Sequence, residues 1–210
     1  VTGSADTAAR LRAGAGILER SARINVEADS LNAAVLAPDV GVGDDVWYTF
    51  IRNVVKDMTQ KTGQKCTAIR RIFVPEAIAA DVCEALVDEL SRVKVGNPLE
   101  SGVDMGPVAT AAQLRDCRAG IGLLSEVAEI KCGGADPVAG IGAPEGKGYF
   151  VAPTLMFAAD ARAAGVVHRH EVFGPCATVL AYSGEATEAA ELVALGQGCI
   201  ASSAQEQQAL

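Results

Sequence analysis

Residues 32–63 read NAAVLAPDVGVGDDVWYTFIRNVVKDMTQKTG, and the class of fold can be read outward from them. They begin with a short apolar run, Asn32 to Ala37, which predicts a buried strand that ends in a Pro-Asp turn. From Asp44 or Asp45 to about Thr62, apolar side chains recur at the spacing of one helix face. A buried strand followed at once by an amphipathic helix is the repeating unit of an α/β fold.

The same alternation continues on both sides of this stretch. Downstream, the pattern predicts strands at Ile72–Val74, Glu129–Cys132, Tyr149–Phe157 and Ala177–Tyr182, and helices at Glu76–Val93, Thr110–Glu126 and Glu185–Leu195. Upstream, it predicts a helix over Thr7–Ser21 with Ser4 as its N-cap, and a strand over Arg23–Val26. Strands that alternate with helices predict an α/β fold with a largely parallel sheet and flanking helices.

Composition excludes several classes of partner. The 210 residues are 50% hydrophobic and 21% charged, which is typical of a globular chain with one substantial domain. With a net charge of −8 and no Lys/Arg cluster longer than a pair, no nucleic acid is expected as a partner. No apolar run approaches the roughly 18 residues that cross a bilayer, and no signal-peptide pattern is visible, so we expect no membrane partner. The six cysteines form no C-x-x-C pair, which favours reduced thiols in a cytoplasmic protein.

Cys66 is the candidate nucleophile. It follows the glycine that closes the long helix, and a helical turn starting at Cys66 would place the thiol at the positive end of that turn. Lys65, Arg70 and Arg71 would add positive potential, which favours the thiolate. The alternative is that Cys66 is a small buried hydrophobic residue, as most free cysteines are.

Glu27 is the candidate general base. It ends a strand-like segment, and the end of a strand places a side chain at the crevice of an α/β sheet. A partly apolar environment there would raise its affinity for a proton. The alternative is a solvated surface glutamate.

Two further groups carry weaker signals. His168 and His170 could face the same side of a strand, but no carboxylate or cysteine stands at a recognised ligand spacing, so no metal site is predicted and both side chains are expected to be exposed. Trp47, Tyr48 and Phe50 could line a substrate tunnel, although core packing is the commoner fate of aromatic residues on a helix.

Five motifs in a fixed order resemble those of the aldehyde dehydrogenase superfamily. They are Val1-Thr2-Gly3-Ser4, Gly63-Gln64-Lys65-Cys66, Val95-Gly96-Asn97-Pro98 followed by Met105-Gly106-Pro107, Gly148-Tyr149-Phe150-Val151-Ala152-Pro153-Thr154, and Glu171-Val172-Phe173-Gly174-Pro175. The chain departs from the family where most members have Glu-Leu-Gly-Gly-Lys and this sequence has Glu27-Ala28-Asp29-Ser30-Leu31.

The resemblance implies an NAD(P)-dependent oxidation of an aldehyde to the acid. Cys66 would form a thioester and Glu27 would activate water to hydrolyse it. The cofactor-binding residues implied are Gly3 and Ser4 near the pyrophosphate, Glu171 on the nicotinamide ribose, and Phe173 packed beside it. In domain terms, residues 1–27 would be the C-terminal end of the cofactor-binding domain, and residues 28–210 a catalytic domain truncated at both ends.

Two segments together are similar to one branch of the family. Thr-Gly-Ser-Ala-Asp-Thr-Ala at residues 2–8 and Val-Glu-Ala-Asp-Ser-Leu-Asn-Ala-Ala at residues 26–34 resemble the PaaZ-type domain of phenylacetic acid degradation. This implies a small CoA-linked semialdehyde as substrate, NADP as cofactor with NAD as the alternative, and a homo-oligomer at full length. Three other readings stay open: the semialdehyde dehydrogenases of benzoyl-CoA catabolism, a relative in which CoA resolves the acyl-enzyme, and an isolated fragment without activity.

Overall fold

The computed structural model describes residues 1–196 and 201–204. Its strands are β1 (Thr2–Gly3), β2 (Glu27–Ala28), β3 (Asn32–Leu36), β4 (Ile69–Pro75), β5 (Glu129–Cys132), β6 (Thr154–Ala158), β7 (Cys176–Tyr182) and β8 (Ala201–Ala204). Its α-helices are α1 (Ala5–Arg12), α2 (Ala15–Glu19), α3 (Asp45–Thr59), α4 (Ala79–Ser91), α5 (Ala111–Leu124) and α6 (Ala186–Ala194).

Six strands form the main sheet in the order β5-β6-β7-β4-β3-β8. Strand β5 pairs antiparallel with β6, and every other neighbouring pair in this sheet is parallel. Strands β1 and β2 form a separate parallel pair. The predicted α/β class with a largely parallel sheet is therefore confirmed.

Helices cover both faces of the main sheet. Successive side chains of a strand point to opposite faces, so Phe73 of β4 packs in one apolar cluster while its neighbours Ile72 and Val74 pack in the other. Helices α5 and α6 contribute to the cluster of Phe73, and helices α3 and α4 contribute to the cluster of Ile72. Burial on both faces explains the apolar runs Ile72–Val74 in β4 and Val179–Ala181 in β7.

The first 28 residues are packed much less tightly. Among them only Ala8 is buried, whereas Leu18 is 66% exposed. Pairing of β1 with β2 joins the two ends of this segment, with Thr2 opposite Glu27 and Gly3 opposite Ala28. The division into domains at residue 27 stays a prediction.

Several boundaries differ from those expected. The single helix predicted over Thr7–Ser21 is two short helices, because the chain leaves the helical conformation at Gly14 (ψ 131°). No strand forms over Arg23–Val26, where the pairing begins only at Glu27. The strand expected over Tyr149–Phe157 begins at Thr154, and β8 was not predicted.

The side-chain caps predicted at Ser4 and at Thr110, the first residue of the predicted helix Thr110–Glu126, are confirmed, whereas Asp44, which was predicted to cap α3, makes no side-chain capping hydrogen bond. The Ser4 hydroxyl accepts from the Thr7 amide at the start of α1, and the Thr110 hydroxyl accepts from the Gln113 amide at the start of α5. Within the described residues, no helix is long and apolar enough to span a bilayer.

Candidate active site

Cys66 lies on an exposed turn that we call the Cys66 loop, residues 63–68. Helix α3 ends at Thr59, and the chain then passes through the left-handed region at Lys61 (φ 54°) and Thr62 (φ 57°). No helix begins at Cys66, so the expected placement of the thiol at a helix N-terminus is wrong. The thiol is nevertheless exposed, which excludes the alternative that Cys66 is a buried hydrophobic residue.

Asn32 fixes the backbone of the Cys66 loop. Its side-chain amide is buried and donates both hydrogens, to the carbonyl oxygens of Cys66 (2.7 Å) and Ala68 (2.9 Å). Sequence reasoning passed over Asn32, although a lone amide at the start of an otherwise apolar strand was a usable signal. A buried amide with two well-made bonds holds the loop in one conformation.

The cations expected around Cys66 are each engaged by other groups in ion pairs or hydrogen bonds. Lys65 pairs with Asp57 of helix α3, and the second oxygen of Asp57 accepts from the amide of Ile69 at 2.6 Å. Arg70 and Arg71 are 4% and 0% exposed, and their guanidinium groups bind carbonyl oxygens of other segments. In this structure Arg70 and Arg71 hold neighbouring backbone segments in place through these hydrogen bonds.

Arg70 joins the Cys66 loop to a second loop, residues 171–175, which we call the Glu171 loop. It donates to the carbonyl oxygens of Gly63 (2.8 Å) and Gly174 (2.7 Å), and its Nε lies 3.3 Å from Glu171 Oε1. The two loops are in backbone contact, since a Cβ on Gly63 would lie 2.1 Å from the carbonyl oxygen of Gly174.

Glu171 sits at the edge of this contact. Its second oxygen, Oε2, accepts from the amide of Ser30 at 3.1 Å. Burial raises the pKa of Glu171, and the nearby Arg70 charge and the Ser30 amide oppose that rise. Phe173 is 38% exposed, and its ring centroid lies 5.7 Å from the Arg70 guanidinium carbon.

The pairing of β1 with β2 places Glu27 beside Thr2 and Gly3, and Ser4 follows directly as the N-cap of helix α1. The amide of Glu27 donates to the carbonyl of Val1 at 2.9 Å, and the Glu27 residue is exposed. Asp29 follows in the left-handed region (φ 48°), and its carboxylate accepts from the amide of Ala5 at 3.2 Å, in the first turn of helix α1. The amide end of this helix therefore already holds one anionic group.

The segment from Glu27 to Asn32 connects the three predicted parts of the site. Glu27 pairs with Thr2 in the β1–β2 pair; three residues beyond Glu27, the amide of Ser30 binds Glu171; and two residues later Asn32 binds the Cys66 carbonyl. The structure thus brings the three predicted segments to the same end of strand β3. The chemical roles assigned to these residues stay predictions.

The other described cysteines differ from Cys66 in exposure. Burial raises the pKa of Cys83 and of Cys117 to about 11, and that of Cys176 to about 12. Burial also raises the pKa of Cys132. These four stay protonated near neutral pH and are poor nucleophiles. Cys199 lies outside the described residues.

His168 is buried (2% exposed), so its expected exposure is wrong. Its Nδ1 lies 3.1 Å from Arg71 Nη1 and its Nε2 lies 2.7 Å from the carbonyl oxygen of Ala161. Because a guanidinium can only donate, Nδ1 accepts, and the ring proton is on Nε2. In the described part of the chain, no group of three His, Cys, Asp or Glu side chains is placed to hold a metal ion.

Two of the three aromatic residues of helix α3 face the core and the third faces solvent. Trp47 and Phe50 are buried in the core cluster of Ile72, while Tyr48 is 57% exposed. Trp47 and Phe50 are therefore core residues, as the second of the two interpretations predicts.

Comparison with known proteins identifies the family of the chain. A model of the aldehyde dehydrogenase family matches residues 1–209, and the chain therefore belongs to that family. It is 40% identical over 202 residues to a 3,4-dehydroadipyl-CoA semialdehyde dehydrogenase of Aromatoleum evansii, covering 96% of this chain and 39% of that protein. It is 30% identical over 189 residues to a betaine aldehyde dehydrogenase of Brucella ovis, covering 88% of this chain and 36% of that protein.

Solved structures share the fold. A betaine aldehyde dehydrogenase double mutant from Staphylococcus aureus, in complex with NAD+, superposes with a TM-score of 0.81 at 24% identity, covering 98% of this chain and 39% of that one. An aldehyde dehydrogenase mutant from Bacillus cereus gives the same TM-score and identity. The chain thus spans about two fifths of the length of the proteins it matches.

Proposed function

We propose that the full-length protein oxidises an aldehyde to the acid with a nicotinamide dinucleotide, through a thioester on Cys66. The observation that carries the proposal is the exposed Cys66 thiol on a loop whose backbone is held by buried Asn32 and Arg70. Membership of the aldehyde dehydrogenase family supports the reaction class.

Cys66 and Glu27 have separate roles in the proposed reaction. The Cys66 thiolate attacks the aldehyde carbonyl and forms a tetrahedral thiohemiacetal. Oxidation of that adduct leaves a thioester, and Glu27 then takes a proton from water so that the hydroxide releases the acid and regenerates the thiol. Exposure of Glu27 and its place on strand β2 allow solvent to reach it.

The residues proposed for the cofactor suit a dinucleotide by their chemistry. A nicotinamide dinucleotide, when bound, supplies the two-electron acceptor for the oxidation. Glu171 offers a carboxylate with lone pairs beyond those used by Arg70 and Ser30, which suits ribose hydroxyls. At the start of helix α1, Gly3 has open space where a Cβ would stand, and the bound Asp29 carboxylate indicates that this helix end accepts anions such as a pyrophosphate.

For the substrate, we propose a CoA-linked semialdehyde from the breakdown of an aromatic compound. The relative in Aromatoleum evansii is named for a CoA-linked semialdehyde, and its identity of 40% exceeds the 30% of the Brucella ovis betaine aldehyde dehydrogenase. The benzoyl-CoA branch stays the alternative to the PaaZ-type branch. NADP as cofactor, a homo-oligomer and a cytoplasmic location are further proposals of the same resemblance.

The first experiment tests the nucleophile. In the full-length enzyme, Cys66→Ala should abolish NADP- and NAD-dependent aldehyde oxidation and leave the unfolding midpoint unchanged, because an exposed side chain is removed. The matched control is Cys132→Ala, which removes a thiol of raised pKa and should retain activity. Turnover by Cys66→Ala at the wild-type rate would refute the proposal.

The second experiment separates the base from the nucleophile. Glu27→Gln should still form the thioester and release about one equivalent of reduced cofactor, then stop, since hydrolysis lacks its base. Mass spectrometry of the intact protein should show the acyl group on Cys66. Steady turnover by Glu27→Gln would assign water activation to another group.

A further inference from the structure

We propose that Arg70 is a positioning residue that couples the Cys66 loop to the Glu171 loop, so that the nucleophile and the carboxylate proposed for the ribose are held in register. The inference rests on the proposed function, because it gives these two loops a shared task. A single guanidinium, that of Arg70, hydrogen-bonds to both loops.

The three nitrogens of the Arg70 guanidinium contact two loops, one nitrogen the Cys66 loop and two the Glu171 loop. Nη2 donates to Gly63 at the start of the Cys66 loop, Nη1 donates to Gly174, and Nε faces the Glu171 carboxylate. A guanidinium is planar and its donors point in fixed directions. Displacing any one acceptor therefore changes the geometry available to the other two.

The contact between the Cys66 loop and the Glu171 loop is buried and closely packed. Arg70 is 4% exposed and the Glu171 side chain 9%. Gly63 (φ +67°) and Gly174 touch through their backbones, and behind them the Cys117 thiol lies 3.3 Å from the carbonyl oxygen of Phe173. A buried ion pair is weak support for stability, and its better-attested use is to specify one arrangement.

The neighbouring Arg71 shows that burial alone does not create this coupling. It is equally buried on the same strand, yet it donates to Leu31, Leu192 and Val193 and contacts His168, none of which belongs to either loop. Arg71 is thus a matched control: the same residue type on the same strand, with acceptors in other segments.

The test is Arg70→Lys in the full-length enzyme, with Arg71→Lys as control. Lysine keeps the charge but cannot reach both carbonyls and the carboxylate at once. We expect amide hydrogen exchange to quicken about fivefold or more in peptides covering both 63–68 and 171–176, without acceleration in β6. The single variant Glu171→Gln should also quicken amide hydrogen exchange in residues 63–68. When Glu171→Gln is combined with Arg70→Lys, exchange in residues 63–68 should be little faster than in Arg70→Lys alone.

Kinetics give a second readout. Arg70→Lys should lower kcat through the Cys66 loop and raise the KM for the cofactor through Glu171, whereas Arg71→Lys should lower thermal stability with both constants near wild type. Unchanged exchange in either loop, or equal loop effects of Arg71→Lys, would overturn the coupling. Because exchange is measured without substrate or cofactor, this outcome is distinct from failure of the proposed function, which Cys66→Ala reports.

Discussion

The first 28 residues and the body built on the six-stranded sheet contribute to the same site by different means. In the body, Cys66 and Glu171 are placed by buried groups such as Asn32 and Arg70. In the first segment only Ala8 is buried, and Glu27 is placed by the short β1–β2 pairing. We infer from this difference that the position of Cys66 depends on the same buried groups that stabilise the core. Substitution of Glu27, in contrast, should change the free energy of unfolding little.

The largest difference between the two regions should appear on replacing an arginine in each. Arg71→Met removes buried charged donors from the carbonyls of Leu31 and Val193 and should destabilise the chain by about 3–5 kcal/mol, because a hydrogen bond from a charged group contributes about 1.5–3 kcal/mol. Arg12→Met, in the exposed segment, should change the free energy of unfolding by less than about 0.5 kcal/mol. Urea unfolding followed by Trp47 fluorescence measures the free energy of unfolding of both variants. Comparable decreases in the two variants would show that the two regions do not differ in this respect.

Alanine at a glycine should act with opposite sign in the two regions. Gly63→Ala places a Cβ 2.1 Å from the Gly174 carbonyl oxygen at a positive φ, and should cost about 2–4 kcal/mol. Gly16→Ala, in helix α2 with nothing within 4 Å, should stabilise by at most about 1 kcal/mol. Unfolding midpoints in urea decide this. A tolerated alanine at position 63 would mean that the two loops separate easily.

A smaller effect concerns the pH dependence of the body. Burial lowers the pKa of His168 below its ordinary 6.5, so the unfolded chain binds this proton more readily than the folded chain. Stability should fall as pH drops from 7.5 to 5.5, with a slope of at most about 1.4 kcal/mol per pH unit.

The control for this prediction is His168→Gln, which keeps a donor and an acceptor but does not titrate, and should flatten the slope. Glu171 acts in the opposite sense, because its pKa is raised from 4.5. The window ends at pH 5.5 to limit that contribution. An unchanged slope in His168→Gln would assign the pH dependence to other groups.

The fold was predictable wherever an apolar pattern coincided with burial. Strand β3 and helix α3 appear close to where their patterns place them, because both bury their apolar side chains against the sheet. Arg23–Val26 alternates polar and apolar residues, but none of the four is buried and no strand forms there. Strand β8 was missed for the opposite reason: Ala-Ser-Ser-Ala has no β-branched aliphatic residue, and only its pairing with β3 makes it a strand.

For the site, motif resemblance pointed to Cys66, Glu27 and Glu171, and it could not supply what holds them. Arg70 and Arg71 were read as a source of positive potential near the thiol. Their actual acceptors are backbone carbonyls in distant segments, such as Gly174 and Val193, which no local pattern reveals. The left-handed turn at Lys61 and Thr62 was equally hidden, because neither residue type favours that conformation.

The pairing of β4 with β7 also sets when the site can form as the chain is made. Arg71 lies opposite Thr178, which is 107 positions further on (178 minus 71). At ribosomal rates of about 5–20 residues per second, β4 waits about 5 to 20 seconds for its partner strand. Until then Ile72 and Val74 lack one neighbour, and the Cys66 loop has no Glu171 loop to meet. Such non-local parallel pairing folds slowly and leaves apolar surface open to aggregation, so the yield of active protein should depend on chaperones more strongly than its final stability suggests.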